Sequence, residues 1–201
     1  MNIYKKNGKL EVVCGSMFSG KTEELIKRLK RAMFRKQSIQ VFKHSADSRY
    51  SSSFIFSHTG NKISSLSVQS SSEIIDSVSE ETEVVGIDEI QFFDMDIILA
   101  MDYLVRKGKS VIVAGLDLDF RGIPFGPIPY LMAIADEVTK LKAVCCKSGK
   151  DAYVSQRIIN GKPAKYNDPV IMIGANDFYE ARSRDHFEID EVPLEKYLYN
   201  K

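Results

Sequence analysis

Two hydrophobic rhythms alternate along the first part of the chain. Residues 10–14 form a short apolar run that ends in glycine. After the segment 15–22, apolar residues return at Leu25, Ile26, Leu29, Ala32 and Met33, the spacing of one helix face. Residues 39–42 and 84–87 predict two more strands. A second helix is predicted from about Asp94 to Lys107, with apolar positions at Ile97, Ile98, Met101, Leu104 and Val105. Asp94 is expected to cap its start, and Arg106, Lys107 and Gly108 close it. Residues 110–114 predict a further strand. The runs 11–14, 84–87 and 111–114 are almost wholly apolar instead of alternating, as parallel strands are when helices cover both faces of the sheet. The expectation is an α/β core over residues 1–142, a parallel sheet with helices on both faces.

Beyond and within this core the pattern weakens. The Ser-rich stretch 45–72, including SRYSSSFIFSHTG, has no helical period and reads as a partly mobile loop or short hairpin. From Ala143 the chain changes to short β-like runs, 153–159 and 170–173, separated by the turn signals Asn160-Gly161 and Asp168-Pro169. These predict a small β-rich subdomain over 143–190, followed by a loose tail over 191–201. No internal repeat is evident.

Composition narrows the function classes. With 201 residues, 44% of them apolar and a net charge of +1, the chain is built like a globular protein. It has no overall basic field to hold a nucleic acid by counterion release. Its longest apolar runs, at 111–116 and 170–175, are far too short to span a bilayer, and no signal-peptide core is apparent near the start. The expectation is a cytoplasmic protein with neither nucleic acid nor membrane as partner. Three cysteines, two of them adjacent, imply no disulfide framework. Cys14 ends an apolar strand and reads as a small core residue.

Chemistry concentrates in three loops. Gly15-Ser16-Met17-Phe18-Ser19-Gly20-Lys21-Thr22 fits GxxxxGK[ST], and it stands between an apolar strand and an amphipathic helix. In such a loop backbone N–H groups turn onto phosphate oxygens, the helix N-terminus adds its dipole, the lysine supplies a mobile charge and the Thr22 hydroxyl reaches Mg2+. The strand 84–87 runs straight into Asp88-Glu89. Asp88 is the candidate metal-side carboxylate. Side chains alternate along a strand, so Glu89 is expected to face a second substrate instead; a capping or salt-bridging acidic turn is the alternative. The loop 115–126, GLDLDFRGIPFG, leaves another strand end, where open α/β sheets bind ligands. Phe120 and Phe125 there either line a pocket for a flat heterocycle or fill the core.

Taken in order, GSMFSGKT, DEIQFF, GLDLDFRGIPFGP and YNDPVIMIGANDFYEAR resemble the cellular-type thymidine kinases, a family of phosphate-loop deoxynucleoside kinases, over about residues 10–190. The resemblance implies transfer of the ATP γ-phosphate to the 5′-hydroxyl of thymidine in nucleotide salvage, with Mg2+, a homotetramer and feedback inhibition by dTTP. It implies that Gly15, Ser16, Met17, Phe18, Ser19, Gly20, Lys21 and Thr22 bind phosphates, with Asp88, Ile90 and Gln91 on the nucleotide and metal side. Glu89 is then the general base, and Arg49 a charge clamp on the transferring group, or else a loop arginine in water. Met17, Phe92, Leu116, Phe120 and Phe125 correspond to the thymidine pocket. Residues 170–179 resemble the family's lasso, which closes over the base. There Val170, Met172 and Tyr179 face the ligand, with Ser155 nearby.

One departure stands out. The family carries a structural zinc at the base of the lasso, on ligand pairs spaced Cys-x-x-Cys and Cys-x-x-Cys/His. Here the first pair reads Cys145-Cys146-Lys147-Ser148 and the second Ser183-Arg184-Asp185-His186. Only Cys145 and His186 are ligand types at ligand positions, so zinc is expected to be absent, with partial occupancy through Cys145, Cys146, His186 and Asp185 as the alternative. Two rivals to the kinase reading are a phosphate-loop ATPase coupled to DNA or protein, and a catalytically silent nucleotide-binding module.

Overall fold

The computed structural model describes residues 8–46, 53–57, 60–171, 178–191 and 193. In chain order the strands and helices begin with β1 (Lys9–Gly15), α1 (Lys21–Phe34), β2 (Ile39–His44), β3 (Phe54–Phe56), β4 (Lys62–Ser64), β5 (Leu66–Val68) and α2 (Ser71–Ser77). Next come β6 (Val84–Asp88), α3 (Ile97–Arg106), β7 (Ser110–Gly115), α4 (Ile128–Ile134) and β8 (Glu137–Leu141). The small β-rich part holds β9 (Ala143–Val144), β10 (Asp151–Ala152), β11 (Val154–Ile159), β12 (Lys162–Pro163) and β13 (Phe178–Arg182).

The central sheet has six strands in the order β5-β2-β6-β7-β1-β8, and every neighbouring pair is parallel. Its unbroken apolar runs are explained by the two cores. Val12, Cys14, Val85, Ile87, Val111 and Val113 face a core shared with Ile97, Met101 and Leu104 of α3 and Ile128 and Leu131 of α4. The intervening Val13, Val84, Ile112 and Ala114 face Leu25, Ile26, Leu29 and Ala32 of α1. Both parities of each strand are therefore buried, as the sequence predicts for a sheet covered on both faces.

Three sequence expectations change. Within 45–72 there is a hairpin, β3 with β4, but β5 leaves it and joins the central sheet parallel to β2, and Ser71 begins α2. These pieces are three and seven residues long and Ser-rich, too short to show a period. Asp94 does not cap α3, which starts at Ile97 after Asp96. Its carboxylate instead accepts hydrogen bonds from the Ser71 backbone N–H at 3.0 Å and hydroxyl at 2.7 Å, capping α2 from outside.

The third change is in the lasso segment: Val170 and Ile171 are not strand, while 172–173 lie outside the described residues. The carbonyls of Pro169 and Val170 accept from the Arg157 guanidinium at 2.7 and 2.8 Å, a partnership that replaces a strand ladder. β11 pairs antiparallel with β13. The Asn160-Gly161 turn joins β11 to β12 with both residues at positive φ, 49° and 77°, as such a hairpin requires. The tail 191–201 lies almost wholly outside the described residues.

Candidate active site

β1, β7 and β6 lie side by side, so the loops 15–22, 116–126 and 89–92 leave neighbouring strand ends and converge. Gly15, at φ 143°, lets β1 turn out against β8: a Cβ there would sit 2.2 Å from the Leu141 carbonyl oxygen. Beyond it the loop folds around one carbonyl. Ser16 O accepts from the Ser19 hydroxyl at 2.8 Å and from the buried Lys21 Nζ at 2.8 Å. Gly20, at φ 84°, precedes α1, and Phe18 is exposed at φ 66°. The Met17 N–H donates to Ser155 Oγ of β11 at 2.9 Å, tying the phosphate loop to the small sheet.

At the end of β6, Asp88 accepts from Thr22 Oγ1 at 3.0 Å through one oxygen and from the Glu89 N–H at 3.0 Å through the other. Asp88 thus stands beside the phosphate-loop hydroxyl. Glu89 points elsewhere, but for a reason other than strand alternation. Its backbone leaves the strand in the left-handed region, φ 53° and ψ 42°, a conformation costing a non-glycine residue about 1–2 kcal/mol. Glu89 is buried, and its Oε2 accepts from Gln91 Nε2 at 2.5 Å. Gln91 Oε1 in turn accepts from the Leu116 N–H at 3.0 Å. The Ile90 side chain is fully buried in the core, so only its backbone faces the loop.

The aromatic positions fall into two groups. Phe92 and Phe125 meet edge to face, with ring centroids 6.2 Å apart. Phe120, Tyr179 and Val170 gather around Arg157, which is 1% exposed. The Arg157 guanidinium lies 4.2 Å over the Phe120 ring, donates to the Tyr179 hydroxyl at 2.8 Å and holds the Val170 carbonyl. Sequence reasoning missed Arg157. It stands in VSQRII, where three of six residues are polar and nothing sets it apart. Asp119 shapes the 116–126 loop by accepting from the Arg121 guanidinium at 2.6 Å and from the Arg121 and Ile123 backbone N–H groups. Arg49 and Met172 lie outside the described residues.

Burial and the nearby Asp117 carboxylate push the Cys14 thiol up to about 11, consistent with an unreactive core residue. The lasso base differs. Burial also acts to raise the Cys145 pKa, but hydrogen bonds from the Ser148 hydroxyl and the Ser183 backbone and hydroxyl outweigh it, bringing the thiol down to about 5. Ser183 Oγ lies 3.3 Å from both Ser148 Oγ and His186 Nδ1. Cys146 points away and donates to Glu180 Oε2 at 2.9 Å. That bond, with those from Arg182, holds the Glu180 carboxyl below its usual range.

The four positions therefore converge, but one thiol, two neutral hydroxyls and one imidazole are a poor fit to zinc. Among the described residues no group of three or more His, Cys, Asp or Glu side chains could hold a metal ion. Ser148→Cys combined with Ser183→Cys is expected to supply the missing thiolates and bind about one zinc per chain. Zinc at 1,000 times its dissociation constant would then stabilise the fold by about 4 kcal/mol. Metal analysis and thermal unfolding with and without chelator check this, and a double variant that takes up no zinc would show that the positions do not form a ligand set.

Among models of known protein families, that of thymidine kinase matches the chain over residues 8–187.

Proposed function

The chain belongs to the thymidine kinase family and, as an ATP-dependent phosphotransferase, converts thymidine to dTMP; we propose the following division of labour among its residues. Gly15, Ser16, Met17, Ser19 and Gly20 present backbone to the ATP phosphates, with Lys21 as the mobile charge. Thr22 and Asp88 would hold Mg2+, which when bound would offset charge on the transferring group. Glu89 is the general base that takes the proton of the thymidine 5′-hydroxyl, so that its oxygen can attack the γ-phosphorus in line with the departing ADP. Arg49 is a charge clamp on the same group. Leu116, Phe92, Phe120, Phe125 and Met17 enclose the base, with Ser155, Val170, Met172 and Tyr179 on the lasso side.

The observation that carries this reading is the convergence of the phosphate loop, the Thr22–Asp88 contact and the separately oriented Glu89 on adjacent strand ends. Residues 1–142 serve as the kinase domain and 143–190 as the lasso-bearing part. The enzyme acts in the cytoplasm as a homotetramer under dTTP feedback. Exposed apolar side chains on α1 and α3, Phe34 at 87% and Leu99 at 72%, support subunit contacts. No helix among the described residues is long and apolar enough to cross a membrane.

The test is ADP release from Mg·ATP with each of four deoxynucleosides, with and without DNA. Turnover is expected to depend on thymidine. Turnover indifferent to nucleosides but raised by DNA would overturn the reading in favour of an ATPase.

A further inference from the structure

We propose that Gln91 is the positioning residue of the base, clamping the Glu89 carboxylate in the plane from which it takes the proton. The proposal rests on Glu89 being that base. By sequence resemblance Gln91 belongs to the nucleotide and metal side, but the hydrogen bonds of its side-chain amide run elsewhere. Gln91 is 3% exposed, and both ends of its amide are used. Nε2 donates to Glu89 Oε2 at 2.5 Å, and Oε1 accepts from the Leu116 N–H at 3.0 Å. The orientation of that amide is fixed by chemistry. A backbone N–H only donates and an ionised carboxylate only accepts, so a flipped amide would set donor against donor and acceptor against acceptor.

The surroundings are cut to hold the side chain. A Cβ on Gly115, the last residue of β7, would stand 2.5 Å from Gln91 Oε1. On Gly126, at φ 52°, a Cβ would stand 2.7 Å from the Gln91 carbonyl oxygen. Gln91 is thus seated between two glycines that no other residue could replace without displacing it. It bridges the end of β7 to the carboxylate that follows β6. Glu89 has three side-chain torsions and a strained backbone, and the amide restrains the end that reacts.

The test uses Gln91→Met, which keeps the length but removes the donor, and Gln91→Glu, which keeps an acceptor for Leu116 and sets a second carboxylate against Glu89. In both, kcat is expected to fall about 10–100-fold, as for a reacting group displaced by about 1 Å. KM for thymidine and Mg·ATP should move by less than about threefold. The fall in kcat should be larger in Gln91→Glu than in Gln91→Met, because a second carboxylate repels Glu89 from its place. In a Glu89→Gln background, Gln91→Met should cost nothing more, since the residue acts through the base it no longer has.

An unchanged kcat in Gln91→Met would overturn the proposal. So would a loss confined to KM, or losses that multiply in full in the double variant. If Gln91→Met fails to fold, Gln91→Glu carries the same readouts. Wild-type rates in Glu89→Gln alone would overturn the reading of Glu89 as base, a separate result from an inert Glu89→Gln beside a fully active Gln91→Met.

Discussion

Glu89→Gln is expected to lower kcat by about 10²–10⁴-fold, the usual worth of a positioned proton acceptor. The substitution is nearly isosteric. Its amide oxygen still accepts from Gln91 Nε2, and the left-handed backbone at φ 53° is untouched. What disappears is the basicity, so the loss should fall on the chemical step and leave thymidine binding within about threefold of wild type. Steady-state ADP release together with calorimetric titration of thymidine would separate the two. A variant that loses affinity in proportion to rate would mean that Glu89 holds the substrate and does not take its proton.

Lys21→Met is the second large effect expected. Lys21 begins α1, is only 8% exposed, and donates to the Ser16 carbonyl at 2.8 Å. Phosphate oxygens entering the loop offer a charged acceptor in place of that neutral carbonyl, and charge-assisted bonds are about twice as strong. Loss of the ammonium should therefore reduce kcat/KM for ATP by about 10²–10³-fold. Lys21→Arg should rescue little. A planar guanidinium is larger and carries its donors in a fixed fork, whereas the lysine site is closed around a compact charge. Full activity in Lys21→Arg would show that charge alone, without shape, suffices.

The parts of this fold that are legible in the sequence are those whose physics is local or repeated. β1, β6 and β7 are readable because burial on both faces writes an unbroken apolar run, and α1 and α3 because burial on one face writes a period. The phosphate loop is readable because glycine is demanded by backbone geometry at Gly15 and Gly20. Asp88 and Glu89 follow from their place at a strand end, although the turn that separates them is a left-handed residue and not a pleat. The pairings of single polar groups across distance are not legible. Asp94 caps a helix 23 residues upstream, and β5 and α2 are too short for a rhythm. Arg157 shows no pattern at all, since its value lies in two carbonyls and two aromatic rings brought to it by separate segments.

The bond from the Met17 N–H to Ser155 Oγ joins residues 138 apart, and on the ribosome that separation becomes a delay. At about 5–20 residues per second, the phosphate loop emerges roughly 7–30 s before the strand that anchors it has been made. The neighbouring strand that Gly15 turns against, β8, is also late, ending at Leu141. Through that interval a nascent chain carries the nucleotide signature without the framework that shapes it. The framework for nucleotide capture is complete only once the small sheet can close onto the loop.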